Sequence, residues 1–308
     1  MKFTFHILNI LFQGSFYLAF FISTSFSQVN PNPYNKIENL QSIPQDKYTF
    51  SILGDRTGSG PDSWSILDKA IFEMNQLQPD FVIMIGDLIE DNSSDRHTIE
   101  SKWNEALQHI SAFRVPFFMV PGNHDIWNQT SYRIWKEMMG DTYFSFDYQN
   151  DHFLILNTEE KYGTAEEGFG SQQMNFIMND IRNHQKADPF FIFLHQPVWL
   201  LSGQLKNDWN KIESSLQDVS YSVFSGHLHV LASKYIDEHP YTIVGPTGGE
   251  MRLPRNPALG LFHHYTWVTV TGSRFSVAFI EPGRIYSEET ALKVYDIYLQ
   301  GMNLLMDQ

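Results

Sequence analysis

Val115-Pro116-Phe117-Phe118-Met119-Val120 runs directly into Pro121-Gly122-Asn123-His124-Asp125. The apolar half reads as a buried strand, and the glycine lets the chain turn sharply at its end. An amide, an imidazole and a carboxylate then crowd the strand's carboxyl end, which is where ligands sit in sheets fed by helices. Taken alone, the stretch reads equally well as an ordinary strand-end turn, because Gly, Asn and Asp are common turn residues. Its recurrence along the chain decides between the two.

Tyr48–Leu53 is a predicted strand that ends at Gly54-Asp55-Arg56-Thr57-Gly58. A helix follows over about 62–77, with Asp62 or Ser63 as N-cap and with Trp64, Leu67, Ala70, Ile71 and Met74 at helical spacing. The near-continuous apolar strand 80–85, of the kind covered on both faces, stops at Gly86-Asp87-Leu88-Ile89-Glu90-Asp91. A second helix over 95–112 leads back to the opening stretch. Three successive strands thus end in glycine plus a metal-capable side chain, with helices between them. That is a repeated βα unit and predicts a largely parallel sheet. Downstream, the reading gives a helix at 131–139 and hairpin strands at 143–148 and 152–157, with Asn150 and Asp151 in the turn. A glycine- and glutamate-rich loop covers 158–170, followed by a helix at 171–184. The strand 189–194 ends at His195-Gln196-Pro197, and a helix near 209–216 precedes the strand 221–224, which ends at Ser225-Gly226-His227-Leu228-His229. The remainder is β-rich, at 230–236, 241–244, 265–270 and 275–280. No internal linker or repeat divides the chain, so one domain of roughly 250 residues is expected over 47–308.

Composition narrows the chemistry. Hydrophobic residues make up 42% of the chain and exclude global disorder. A formal charge of −14 argues against a protein that coats nucleic acid or anionic membrane. It would also repel an anionic substrate unless cations reverse the field locally. The absence of cysteine removes disulfides, thiol nucleophiles and thiolate metal sites, so any metal must be held by oxygen and imidazole nitrogen. Residues 1–27 read as a secretory signal peptide. Lys2 is their sole charge, an apolar stretch runs from Ile7 to Ile22, and Ser25-Phe26-Ser27 supplies a small-x-small cleavage pattern. The competing reading is an uncleaved anchor, but Asn9, Gln13, Gly14 and Ser15 interrupt a run already shorter than the ~20 residues of a spanning helix. Residues 28–46, with Pro31, Pro33 and Pro44, form an expected arm or linker. The sequons Asn92-Ser93-Ser94 and Asn128-Gln129-Thr130 flank the strand ends, where a glycan would obstruct substrate. With the signal, this favours a periplasmic setting.

The strand ends collect Asp55, Asp87, Asn123-His124, His195, His227 and His229. Oxygen and imidazole donors with open positions suit Mn, Fe, Zn, Co or Ni. A bridging carboxylate can hold two ions about 3.5–4 Å apart. These blocks, in this order, resemble the calcineurin-like metallophosphoesterase superfamily, which includes the purple acid phosphatases. The resemblance covers about Tyr48 to His229. It implies a four-layer α/β/β/α sandwich of two mixed β-sheets and two divalent or trivalent metal ions. It further implies that Asp55, Asp87 and His229 bind one ion, and that Asp87 bridges to a second held by Asn123, His195 and His227. His124 would stabilise the transferring phosphoryl group and protonate the leaving oxygen. Asp125 would orient the His124 ring, a familiar carboxylate–imidazole arrangement.

The resemblance is incomplete at one position. Many relatives carry Asp-x-His in the first block, and the corresponding residue here is Thr57. Purple acid phosphatases instead supply a tyrosine three residues after the bridging aspartate, where this chain has Glu90. The first site therefore has three evident ligands and an open fourth (Glu90, the Thr57 hydroxyl or water), and weaker affinity is expected there. Arg56 is a candidate phosphate binder, or else an ordinary ion-paired arginine. Trp127 and Trp199 follow the site blocks and would either rim the pocket or pack loops on the core. Thr247-Gly248-Gly249-Glu250 either approaches the site or is a turn, and Asp91 reads as a loop-capping or supporting residue. His97, His109, His152, His184, His239, His263 and His264 match no block and read as packing or surface residues. No Gly-x-Ser-x-Gly elbow, phosphate-binding Gly-x4-Gly-Lys loop or His-Glu-x-x-His helix is present.

The expected function is exported hydrolysis of small phosphomonoesters or phosphodiesters by in-line attack of metal-bound hydroxide. The alternatives are a nucleotidase or pyrophosphate hydrolase of the same fold, or a degenerate member that binds metal or ligand without catalysis. The loops 158–170 and 200–215 are the expected seats of specificity.

Overall fold

A computed structural model describes residues 46–58, 62–90, 92–289 and 291–295. The stretch expected to be a signal segment (1–27), nearly all of the expected arm (28–46) and Asp91 lie outside the described residues. The described residues fall within one compact unit.

Chain order is β1 (Lys47–Leu53), α1 (Ser63–Leu77), β2 (Phe81–Met84), α2 (Arg96–Ile110), β3 (Phe117–Met119), α3 (Gln129–Met138), β4 (Phe144–Tyr148) and β5 (Asp151–Ile155). It continues with α4 (Lys161–Thr164), α5 (Gly170–Asn183), β6 (Phe190–Phe193), α6 (Gln204–Ser215), β7 (Tyr221–Ser225), β8 (Ala232–Ile236) and β9 (His239–Ile243). The last strands are β10 (Tyr265–Thr271), β11 (Arg274–Glu281) and β12 (Arg284–Ser287). Two six-stranded sheets form, in the orders β12-β11-β10-β1-β2-β3 and β4-β5-β6-β7-β9-β8. In the first, β1, β2 and β3 are parallel and β10 joins β1 antiparallel. In the second, β5, β6, β7 and β9 are parallel, flanked by antiparallel β4 and β8.

The period-2 alternation of side chains along a strand builds the layers. Phe50, Phe81, Phe118, Phe153, Phe191 and Phe193 point between the sheets and form an aromatic core shared by both. Phe50 and Phe81 stack with ring centroids 5.3 Å apart, and Phe153 meets Phe81 edge-on at 5.2 Å. The alternate residues Val82, Met84, Phe117 and Met119 face α1, α2 and α3. Leu154, Phe190, Ile192 and Leu194 face α5 and α6. Strands covered on both faces must be apolar throughout, which is why β2 and β6 carry no polar residue. The result is the expected four-layer α/β/β/α sandwich of two mixed β-sheets.

Local differences from the sequence reading have local causes. Asp62 occupies the N-cap position of α1 but makes no side-chain cap. Asp95 caps α2 through Thr98, and Asn128 starts α3 two residues earlier than expected through a capping box with Ser131. The β4–β5 turn is Gln149-Asn150, because Asp151 pairs with Tyr148. Helix α6 begins at Gln204, ahead of the predicted 209. Strand β12 follows a glycine turn at Gly283, with no alternating pattern long enough to announce it.

Candidate metal centre

The carboxyl ends of β1, β2, β3, β6 and β7 converge, and the predicted donors meet there. Asp55, Asp87 and His229 form one group, and Asp87, His195 and His227 a second; within each group the ligand atoms lie within 4.8 Å of one another. Asp87 belongs to both. The Asn123 Oδ1 atom is 3.1 Å from His195 Nε2, which adds an oxygen donor to the second group. His195 Nε2 lies 3.3 Å from Asp87 Oδ2, and His229 Nε2 lies 3.6 Å from Asp55 Oδ1.

Ring orientation is set from behind. His195 Nδ1–H donates to the Ile85 carbonyl at 2.9 Å, and His229 Nδ1–H donates to the Glu250 carbonyl at 2.6 Å. Each bond leaves the Nε2 lone pair turned inward, as a metal-binding imidazole requires. His227 turns its Nδ1 toward His195 Nε2 at 3.3 Å. The donor set, two buried carboxylates, three oriented imidazoles and one amide oxygen, fits two transition-metal or zinc ions.

The backbone bends to achieve this. Asp87, His227 and His229 have φ of 57, 72 and 54 degrees, the left-handed region that non-glycine residues rarely adopt. Hydrogen bonds hold them there: His227 N–H donates to both Asp55 oxygens, at 3.0 and 3.1 Å. His124 N–H donates to Asp87 Oδ1 at 2.8 Å. Gly122 must be glycine, because a Cβ there would sit 2.3 Å from Asp87 Oδ1.

The electrostatics follow from packing acids and imidazoles together out of water. Burial pushes the Asp55 carboxyl up. Burial pushes Asp87 the same way, but the His195 charge and hydrogen bond outweigh it and hold Asp87 down at about 2. Burial disfavours His195 as a cation, yet Asp87, Asp55 and Glu159 together raise it to about 10. Burial and the His195 charge lower His227 to about 3. Cationic charge is thus favoured among the carboxylates, and a metal ion would compete with that proton.

Two expected roles are corrected. The Asp125 carboxylate does not orient His124. It accepts N–H groups from Asp87 (2.7 Å), Gly122 (2.9 Å), Leu88 (3.0 Å) and Ile89 (3.1 Å). Both its oxygens are spent on the backbone, and His124 Nδ1 is buried with no hydrogen-bond partner. Arg56 likewise does not present a free fork to phosphate. Its Nε donates to the Leu88 carbonyl, its Nη1 to Ser63 Oγ at 3.0 Å, and its guanidinium stacks 4.0 Å over Trp64.

The other candidates also find places. Glu90 joins neither donor group; its Oε2 accepts the Gly58 N–H at 3.3 Å. With Arg56, Trp64 and Lys102 it lines a cavity of about 380 Å³ beside the site. Trp127 is 41% exposed and stacks on Tyr162, whereas Trp199 is buried in the core against Tyr241. Thr247–Glu250 does approach the site: Thr247 and Gly249 donate N–H groups to the Asp55 carbonyl at 3.0 and 2.9 Å. The Asn128 amide donates to the Ser93 carbonyl at 2.7 Å, so that sequon nitrogen is occupied within the fold.

Sequence reading missed Glu159. It follows β5 with no flanking glycine, and only its place at a strand end signals it. A third cluster, Asp147, His152 and His184, lies at the opposite end of β5. There the imidazoles stack face to face at 3.8 Å and 16 degrees, so their in-plane lone pairs run parallel and do not converge on one ion. His152 instead bridges Asp147 (2.6 Å) and Asp180 (2.7 Å), which ties the β4–β5 hairpin to α5.

Comparison with known proteins agrees with this geometry. The calcineurin-like phosphoesterase family matches residues 44–231. The serine/threonine-protein phosphatase CPPED1 of Rattus norvegicus is 26% identical over 198 residues, which is 56% of this chain and 62% of that protein. Acid phosphatase type 7 of Danio rerio is 27% identical over 162 residues, 49% of this chain and 36% of its own. The chain therefore spans less than two thirds of these relatives. A solved dimetal phosphatase from Danio rerio shares the fold at a TM-score of 0.55 and 14% identity, covering 75% of this chain and 98% of that one. The family match over residues 44–231 covers more than half of the chain and contains every donor block from Asp55 to His229, so this chain belongs to the calcineurin-like phosphoesterase family.

Proposed function

We propose that this protein is a metal-dependent phosphoric ester hydrolase with two metal ions, acting on small phosphomonoesters or phosphodiesters. The observation that carries the reading is the pair of donor groups that share Asp87. When bound, the ions would supply Lewis acidity and lower the pKa of water. Asp55, Asp87 and His229 would hold one ion, and Asp87, Asn123, His195 and His227 the other. His124 stands beside the shared ligand, because its own N–H is bonded to Asp87. Its ring would donate the proton that the leaving oxygen needs. Asp125 acts one step back, as a positioning residue for the Asp87 loop. Among the described Asp, Glu, His and Cys side chains no fourth donor completes the Asp55 group, so that ion is expected to bind more weakly.

Hydrolysis of p-nitrophenyl phosphate, bis-p-nitrophenyl phosphate, nucleotides and pyrophosphate, after reloading with Mn, Fe, Zn, Co or Ni, tests the reading and separates ester from anhydride specificity. Asp87→Ala should lose on the order of 10³-fold or more, since a metal contributes several kcal/mol to the transition state. Inactivity of wild type with every metal, beside intact metal binding, would favour a degenerate binding protein. Export remains part of the proposal on the strength of residues 1–27, and N-terminal sequencing of the mature protein should begin at Gln28. Among the described residues no helix is long and apolar enough to cross a membrane.

A further inference from the structure

The strand-end pattern has one more member. β5 lies beside β6 in the second sheet, and its carboxyl end continues as Leu156-Asn157-Thr158-Glu159. Glu159 is fully buried. Its Oε1 accepts from Thr158 Oγ1 at 2.9 Å and from Gln196 Nε2 at 2.5 Å, and Gln196 directly follows His195. Its Oε2 is buried with no partner. Burial pushes this carboxyl up, as does the nearby Asp87 charge, while the His195 charge and the bonds from Gln196 and Thr158 pull it back toward the anion.

The placement is built, not incidental. Asn157 Oδ1 accepts the Glu159 N–H at 2.8 Å, and Gln173 Oε1 accepts the Asn157 N–H at 2.8 Å. Gln196 N–H also reaches Thr158 Oγ1 at 3.4 Å. Glu159 is therefore held rigidly from its own backbone and is tied to the residue after a metal ligand. A buried carboxylate with one bare oxygen is costly on its own. That cost is offset where a cation stands nearby.

We propose that Glu159 is a positioning residue of the metal centre, a buried anion that strengthens cation binding at the His195 group and holds the backbone after His195 in register. This rests on the two-metal reading above. On that reading Glu159 matches the excess positive charge that two ions bring to Asp55 and Asp87. Glu159→Gln keeps the shape and the Oε1 bonds but removes the charge. Metal-free protein should then be as stable as wild type or more so, while one metal site weakens. Outer partners of ligands are worth roughly 10- to 100-fold in affinity. A purely structural glutamate behaves oppositely, with stability falling and affinity unchanged.

Calorimetric titration of metal-free wild type, Glu159→Gln and Glu159→Asp with Mn²⁺ and with Zn²⁺, beside urea unfolding of the metal-free forms, decides the matter. The expected result is a roughly 10- to 100-fold weaker site in Glu159→Gln, metal-free stability retained or raised, and affinity largely restored in Glu159→Asp, which keeps the charge. Equal affinities in wild type and Glu159→Gln overturn the inference, as does Glu159→Gln that no longer folds without metal. Wild type that binds no metal overturns the two-metal reading itself and this inference with it, a result separable from the other two.

Discussion

The Asp125 carboxylate holds the backbone N–H of Asp87 at 2.7 Å. With that bond, and with those to Gly122, Leu88 and Ile89, Asp125 shapes the loop that presents the shared ligand in its left-handed conformation. Asp125→Asn replaces one oxygen by an amide nitrogen, so two N–H donors then face another donor. The expected cost is about 3 kcal/mol, as for loss of buried bonds to a charged acceptor, with weakened metal binding. Urea unfolding and metal titration check this. If Asp125→Asn changes turnover alone and leaves stability intact, Asp125 acts on His124 after all.

Gly122→Ala should be severe for the same loop. Its Cβ would meet Asp87 Oδ1 at 2.3 Å and Asp87 N at 2.4 Å; the second is backbone and cannot swing aside, and the first is held by the His124 N–H. Overpacking of this kind costs about 1–3 kcal/mol, and the displaced atoms belong to the shared ligand. Metal affinity should therefore fall more than stability does, which paired titration and thermal unfolding would reveal.

His124→Ala should lower kcat by roughly 10²- to 10⁴-fold, the range for removal of a general acid. The loss should shrink for aryl phosphates, whose leaving oxygen needs little protonation, and grow for alkyl esters. Metal content should be unchanged, because His124 contributes its N–H and not a donor atom to the Asp87 group. A loss independent of leaving group would assign the ring to phosphoryl stabilisation alone.

Acid stability should report His264. It is 1% exposed, its Nδ1–H donates to the Phe262 carbonyl at 3.0 Å, and its Nε2 accepts the Gly245 N–H at 3.3 Å. Burial lowers it from 6.5 to about 4, against the Phe262 carbonyl bond, which favours the cation; His263 lowers it further and Glu281 opposes. The unfolded chain therefore binds this proton first as pH falls. Stability is complete above about pH 6.5 and declines between 6.5 and 4, by about 3 kcal/mol over the window at about 1.4 kcal/mol per pKa unit. Unfolding free energies across this range should fall less steeply in His264→Gln, and parallel slopes would show that His264 is not the group responsible.

Much of this protein is written in local pattern. Apolar strands that stop at a metal-capable side chain, behind a glycine in four of the five, announced the converging strand ends and a largely parallel sheet, because a strand covered on both faces must be apolar throughout and a ligand must leave it where the sheet ends; the two-sheet sandwich followed from the family resemblance that those blocks carry. The donors Asp55, Asp87, Asn123, His195, His227 and His229 were legible because donor chemistry and strand-end position coincide. Partnership was not legible, because a hydrogen bond across the fold leaves no mark on spacing. Asp125 sits beside His124 in sequence yet spends both oxygens on backbone from β2's end. Arg56 adjoins a ligand yet is committed to Trp64, Ser63 and Leu88. Glu159 carries no motif and becomes part of the centre only because β5 lies next to β6. Residue order alone places the donor groups at the ends of the strands; their partners come from packing, since the register of neighbouring strands and the backbone donors of distant loops set every contact that separates a ligand from its support.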